Sequence, residues 1–329
     1  MNAATMRRVA ASVLYGVALA TGVLTSAVAQ TYPSKPIRLV VPYPPGGGTD
    51  IMARLVGDAL SKTVGWTVFV ENRSGAGGII GTEATAKAAP DGYTLMIGTN
   101  ATHGIFVTLY PKLPYDPVRD FEPVTKMVDA VNVLVVNPSL PAKTVKDLIA
   151  LAKSKPGQLN YATAGAGSQG HLGMELFNRM AGTEIVHVAY KGAPAALGDV
   201  IGGRVQMMMP NIPSVLPHLR SGRLRALAVV TAKRTPLFPD LPTIDEAGLR
   251  GYENESWWGL FAPAGTPQEV VTKVNQEIRK VLELKHVKDQ LIGQGLEPDA
   301  MTPAQFAAVV KAGISKWEKV VKDSRIQVD

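Results

Sequence analysis

Apolar and polar positions along the chain fall into short runs that switch between a strand-like and a helix-like period. Residues 37–43 form a β-rich run bounded by Pro44, Pro45, Gly46, Gly47 and Gly48. Thr49 or Asp50 can then cap a helix that reaches about Lys62, with Ile51, Leu55 and Leu60 among its apolar positions. Residues 67–70 predict the next strand. Ser74-Gly75-Ala76-Gly77-Gly78 turns into a second helix ending near Pro90-Asp91-Gly92, and 94–97 predict a third strand. Two strand–helix units joined by short loops imply a parallel sheet covered by helices.

Residues 131–136 read as a strand in a different neighbourhood, and from Thr144 the pattern restarts. Helices are predicted over 145–153, 171–180, 193–201 and 214–220, and strands over 159–162, 185–190, 205–209 and 224–230. The tail from Pro267 is almost all helical. Val270, Val271, Val274, Ile278, Val281 and Leu282 share one face, and a second helix covers about 302–322. These helices need a sheet to cover, and the first lobe has room for them. The chain would then cross between lobes near 128–131 and again near 255–259, giving an α/β protein of two lobes on a hinge. Lobe 1 is expected over 30–130 plus 256–329, and lobe 2 over 131–255.

The first 29 residues read differently. Arg7 and Arg8 precede an uncharged apolar stretch over 9–25, and Ala27-Val28-Ala29 stands before Gln30. This is the pattern of a secretory signal peptide, with cleavage expected after Ala29; the alternative is an N-terminal membrane anchor. No later apolar run approaches the roughly 18 residues that cross a bilayer. The periplasm of a two-membrane bacterium is the expected home, which disfavours enzymes that draw on cytoplasmic ATP or NAD.

Length and composition agree with this organisation. The 329 residues suit two domains, and 46% hydrophobic against 19% charged allows substantial cores. The absence of Cys excludes disulfides, Cys-ligated zinc, iron–sulfur clusters, a thiol nucleophile and a lipid-modified N-terminal cysteine. The net charge of +7 comes from scattered Lys and Arg with no basic run, so nucleic-acid binding is not expected.

Two loops carry the candidate chemistry. Tyr43, Pro44, Pro45, Gly46, Gly47, Gly48, Thr49 and Asp50 follow a strand and open a helix. Glycine-exposed N–H groups and a helix N-terminus make an anion site without a cationic side chain; equally, the glycines could serve a tight turn with Asp50 as a cap. The phosphate-loop spacing is missing. Gly165, Ala166, Gly167, Ser168, Gln169, Gly170 and His171 repeat the arrangement. Their G-x-G-x-x-G lacks the acidic residue a dinucleotide needs about 20 positions on, where Tyr190 and Lys191 stand. Ser168 has Ala166 two before it and so is not a hydrolase elbow. His171 could bond a ligand or the loop backbone. His171 and Glu175 lie one helical turn apart, a pairing more often structural than metallic. Asn72–Gly78 reads as a packing loop, Met207–Met209 as buried strand, and Trp257-Trp258 as packing at the hinge. No cofactor, metal or catalytic set is expected.

In these pieces the chain resembles the Bug-type extracytoplasmic solute receptors, the substrate-binding components of tripartite tricarboxylate transporters. The resemblance rests on Tyr32-Pro33-Ser34-Lys35-Pro36-Ile37, the run from Val41 to Asp50, Val70-Glu71-Asn72-Arg73, Ala89-Pro90-Asp91-Gly92-Tyr93-Thr94, the second Gly loop, His187-Val188-Ala189-Tyr190-Lys191-Gly192 and Ala262-Pro263-Ala264-Gly265-Thr266-Pro267, in that order. It implies a two-lobed periplasmic binding fold, type II-like, that closes on its ligand. It also implies a ligand carboxylate held between the two Gly loops, largely by backbone groups. Ala166 stands where family members often carry Ser. The rest of the ligand would be read by Thr99, Asn100, Tyr190 and Asn211. The implied ligand is a small carboxylate: a dicarboxylate, tricarboxylate, amino acid or aromatic acid. The implied partners are the transporter's membrane subunits, with the receptor a monomer. A sensor signalling to a membrane kinase and an exported hydrolase or lyase are the alternatives.

Overall fold

The computed structural model describes residues 32–324. The signal-peptide expectation for residues 1–29 lies outside them. β1 (Ile37–Val41) pairs in parallel with β2 (Val68–Asn72) on one side and β3 (Thr94–Thr99) on the other. α1 (Gly48–Val64) and α2 (Ile79–Ala86) make the crossovers. α1 buries Met52, Ala53, Val56, Ala59 and Leu60, a three-to-four spacing that presents one stripe to the sheet, and Gly65 ends it in a left-handed conformation (φ 76°). The helix starts earlier than the sequence suggests. Its N-cap is Gly47, without a side-chain cap, and Thr49 and Asp50 lie in the first turn. The Asp50 carboxylate is taken instead by the Gly46 N–H (2.9 Å), Asn72 Nδ2 (2.9 Å) and Arg54 Nε (3.1 Å).

The remaining strands of this sheet correct the all-parallel expectation. After β3 the chain makes a π-helical turn (Ala101–Ile105) and a short helix α3 (Phe106–Leu109), then the ten-residue β4 (Phe121–Ala130). β10 (Trp257–Pro263) inserts between β3 and β4, antiparallel to both, and β11 (Leu296–Pro298) closes the edge. The strand order is β11-β4-β10-β3-β1-β2. Every residue of β10 is buried. A strand covered on both faces shows no alternation, so the run reads as a linker rather than as a central strand.

The second sheet runs β7-β6-β8-β5-β9. Its strands are β5 (Val133–Val136), β6 (Asn160–Thr163), β7 (Val186–Ala189), β8 (Met207–Met208) and β9 (Arg225–Val229). α4 (Val145–Ser154), α5 (Gln169–Ala181), α6 (Ala193–Ile201) and α7 (Ile212–Arg220) cover it, and α4 opens with a capping box of Thr144 and Asp147. The tail supplies α8 (Gln268–Glu283), α9 (Lys285–Ile292) and α10 (Pro303–Ser324). Val274 and Ile278 of α8 lie with Leu39, Leu95 and Leu260 on one face of the first sheet. Phe306 and Val310 of α10 lie with Val40, Met96 and Phe261 on the other. Each sheet thus builds its own lobe. Where the chain passes between them its two segments bond together: Ala130 N–H donates to Ser256 O at 2.8 Å. Among the described residues no helix is long and apolar enough to cross a membrane.

Candidate functional site

β1 and β6 each end in a loop that turns directly into a helix, and both helices start at one cavity of about 100 Å³. α1 contributes Gly47, Gly48 and Thr49; α5 contributes Gln169 and Gly170, with Ser168 as its N-cap. Asn211, the N-cap of α7, also reaches it. Tyr43, Thr99, Asn132, Met208 and Trp258 form further wall. Among the described residues, no Lys, Arg, His, Asp or Glu lines the cavity.

The first turns of the two helices supply donors. Ile51 is the first residue of α1 to bond back within the helix, to Gly47 O at 3.0 Å, and Leu172 is the first of α5, to Ser168 O at 3.1 Å. The N–H groups of Thr49, Asp50, Gln169 and Gly170 precede these residues and have no intrahelical acceptor. Ser168 Oγ is buried without a hydrogen-bond partner beside them. Two helix dipoles add positive potential at the same point. Burial pushes the Asp50 carboxyl up, but Arg54, the Gly46 N–H and Asn72 outweigh burial and hold it below the usual carboxylate range; the group is ionised, with its charge paired to Arg54 at 2.9 Å. Tyr43 Oη pairs with Thr99 Oγ1 at 2.9 Å, and burial pushes the phenol up to about 12, so it remains a neutral hydrogen-bonding group.

Glycine is required at two places. A Cβ on Gly48 would strike Asn211 Oδ1 and lie 2.7 Å from Trp258 Cη2, so only glycine lets the start of α1 approach the opposite lobe. Gly167 has φ +74°, and a Cβ there would lie 2.6 Å from Leu109 Cδ2. Gly167 therefore packs on α3 rather than facing the cavity.

A second layer fixes the second loop. His171 Nδ1 accepts the Gly167 N–H at 3.1 Å. Its ring stacks on His187 at 3.9 Å and 16°, and His187 Nε2 lies 2.7 Å from Thr163 Oγ1. Burial, and secondarily His187, pulls His171 down to about 3; burial pulls His187 down to about 4. Both rings are neutral at pH 7, the state in which Nδ1 can accept. His171 thus bonds the loop backbone. Glu175 accepts a hydrogen bond from Tyr161 Oη, and among the described residues no group of three or more His, Cys, Asp or Glu is placed to hold a metal.

Of the candidates read from sequence, Tyr43, Gly47, Gly48, Thr49, Thr99, Ser168 and Asn211 meet at the cavity. Pro45, Gly46, Asp50, Gly165, Gly167, His171 and Tyr190 are not part of its lining. Tyr190 donates its hydroxyl to Asp199 at 2.6 Å. Asn100 also stands back, its Nδ2 bonding Gln169 Oε1 and Glu255 O, both at 3.2 Å. Trp258, taken as hinge packing, is a cavity wall because β10 is a central strand. Gln169 and Gly170 were legible as parts of the second loop. Asn132, at the first crossing, carries no sequence signal that singles it out.

The chain matches the tripartite tricarboxylate transporter family receptor model over residues 52–326. It is 40% identical over 311 residues to protein BugT of Bordetella pertussis, covering 94% of this chain and 95% of that protein. Among solved structures it is similar to Rpa4515 of R. palustris with adipate (42% identity, TM-score 0.88, 90% of this chain and 99% of that one). It is also similar to MatC of Rhodopseudomonas palustris with bound malate (36% identity, TM-score 0.83, 88% and 100%). The periplasmic binding protein BugD shares 32% identity at TM-score 0.86, over 90% and 99%. Matching in family model, in relatives along nearly their whole length and in fold, the chain belongs to the Bug-type receptors of the tripartite tricarboxylate transporter family, which bind solutes.

Proposed function

We propose that this receptor works in the periplasm, captures a small carboxylate between its lobes and delivers it to the membrane subunits of a tripartite tricarboxylate transporter. One lobe comprises 30–130 plus 256–329 and the other 131–255, after a signal peptide ending at Ala29. The observation that carries the reading is the convergence of two helix N-termini and the unpartnered Ser168 Oγ on one cavity without charged side chains. Such a donor set suits one carboxylate. Adipate and malate in the related structures support the ligand class. Thr99 and Asn211 then face the remainder of the ligand. A ligand that bonds both lobes favours the closed arrangement by its differential affinity.

The test is calorimetric titration of protein stripped by unfolding and refolding, with adipate, malate, a tricarboxylate, an amino acid and an aromatic acid. One-to-one binding of at least one carboxylate, with its neutral amide analogue silent, is the expected result. A folded protein that ignores the whole panel, or that converts a bound acid, overturns the reading.

A further inference from the structure

We infer that Ser214 is a positioning residue that straps the two lobes together behind two residues of the cavity wall, Gly48 and Asn211, and sets how long a ligand is retained. The inference rests on the receptor reading above. Gly48 N–H, the first of α1, donates to Ser214 Oγ at 3.1 Å across 166 residues of sequence. Ser214 Oγ donates in turn to Asn211 Oδ1 at 2.6 Å, and the same Oδ1 receives Ser214 N–H at 3.3 Å. Gly48 belongs to the six-stranded lobe; Asn211 and Ser214 open α7 of the five-stranded lobe. Both bonding directions of the hydroxyl are therefore committed, one to each lobe. Ser214 is itself buried and is not part of the cavity lining. Its contribution falls on closure rather than on ligand contact.

The strap has a steric counterpart. The lobes come so close here that a Cβ on Gly48 has no room against Asn211 Oδ1. A second crossing bond runs from Asn100 Nδ2 to Gln169 Oε1 at 3.2 Å, with Gln169 Nε2 donating to Glu255 O at 2.8 Å. Near the second loop, Leu172 of α5 joins the apolar cluster of Ile105, Phe106 and Trp317 from the other lobe. The closed arrangement is thus held by direct contacts between lobes as well as by whatever occupies the cavity. Of these contacts, the strap is the one that uses a donor of the anion site itself. Gly48 N–H is spent on Ser214, which leaves Thr49 as the α1 donor on the cavity lining. Loss of the Ser214 hydroxyl should act on the rate of opening, because a bond made only after closure affects escape more than capture.

The chain contains no Cys, so a pair introduced at two exposed positions, Ser61→Cys and Arg220→Cys, can be labelled uniquely with spin labels, one on each lobe. Interlobe distances are measured without added ligand and with adipate as probe. Adipate association and dissociation are followed by stopped flow. In Ser214→Ala the long-distance population should rise, and adipate dissociation should quicken about three- to tenfold, the range of one neutral hydrogen bond, with association changed less than about twofold. Ser214→Thr, which keeps the hydroxyl, should restore the dissociation rate. Gly48→Ala, a separate variant that wedges the same contact, should favour the long distance at least as strongly. If adipate does not bind the unsubstituted protein but Ser214→Ala still lengthens the ligand-free distance, the strap stands and the ligand class falls. If adipate binds and neither the distances nor dissociation change in Ser214→Ala, the strap is wrong and the receptor reading is untouched.

Discussion

Ser168 and His171 stand three residues apart and do different work. Ser168 Oγ is buried, unpartnered and at the cavity, so its natural bond is to a ligand oxygen. Ser168→Ala should weaken carboxylate binding about tenfold by calorimetry and leave the melting temperature almost unchanged, since no protein bond is lost. His171 is the reverse: it bonds Gly167 and holds the loop. Its folded value of about 3 lies below the ordinary value near 6.5. Between these values the unfolded chain binds more protons. The stability due to neutral His171 is therefore complete above about pH 6.5 and is lost as pH falls toward 3, at about 1.4 kcal/mol per pH unit. His171→Asn keeps an acceptor near Nδ1 but does not titrate in this range. Its thermal melts at pH 7.0 and 4.5 should differ less than those of the unsubstituted protein. An equal drop in both would assign the acid sensitivity elsewhere. Sequence could place both residues after a Gly-rich loop, but the choice between ligand and backbone for His171 depends on the fold of Gly167 against Leu109, which spacing does not encode.

At the scale of elements, the proposed anion site is two helix starts brought to one cavity, and its partial charges come from main chain. The start of α1 can therefore be supplied with its own anion. Gly47 has an ordinary extended conformation (φ −77°, ψ 164°), and a Cβ there meets nothing closer than Pro44 O at 3.5 Å. Gly47→Asp installs a good N-cap whose carboxylate takes the Thr49 and Asp50 N–H groups. The variant should melt higher, by an amount corresponding to about 0.5–1 kcal/mol, while carboxylate affinity falls at least about a hundredfold. Lost binding with gained stability excludes misfolding as the cause. A variant that still binds would show that the ligand does not use α1. The strand–loop–helix units were legible because glycine and proline punctuate them and their helices carry one apolar stripe. β10 was not, because a central strand buried on both faces lacks the two-residue alternation that marks a half-exposed one, and β4 was not, because Glu122, Pro123 and Asp129, its part-exposed positions, do not alternate with apolar ones. That miss also hid Trp258, which reaches the cavity only because β10 runs through the middle of the sheet.

For the whole molecule, two lobes were legible from the restart of the strand–helix pattern at Thr144 and from tail helices that needed a sheet to cover. A cleft between them at the two Gly loops was legible through the family resemblance, but its full wall was not: Asn132 and Trp258 join Tyr43 and Ser168 from distant parts of the chain. The same distribution separates two kinds of electrostatics. The chain carries a net charge of +7, or 7 − 2 = +5 without Arg7 and Arg8 of the proposed signal peptide, yet among the described residues no charged side chain lines the cavity. Long-range attraction of an anion should therefore act before binding and vanish as salt shortens the screening length from about 30 Å at 10 mM to about 8 Å at 150 mM. Once enclosed, a ligand in the proposed site would be held by fixed dipoles at contact distance, which salt barely reaches. For adipate, stopped flow should show association slowing a few-fold over that range, while dissociation stays within about twofold. A dissociation rate that climbs steeply with salt would mean that a solvent-exposed Lys or Arg holds the bound acid, and the neutral donor site would have to be abandoned. A flat association rate would place the slow step in lobe closure, which is governed by contacts such as Gly48–Ser214 that carry no net charge.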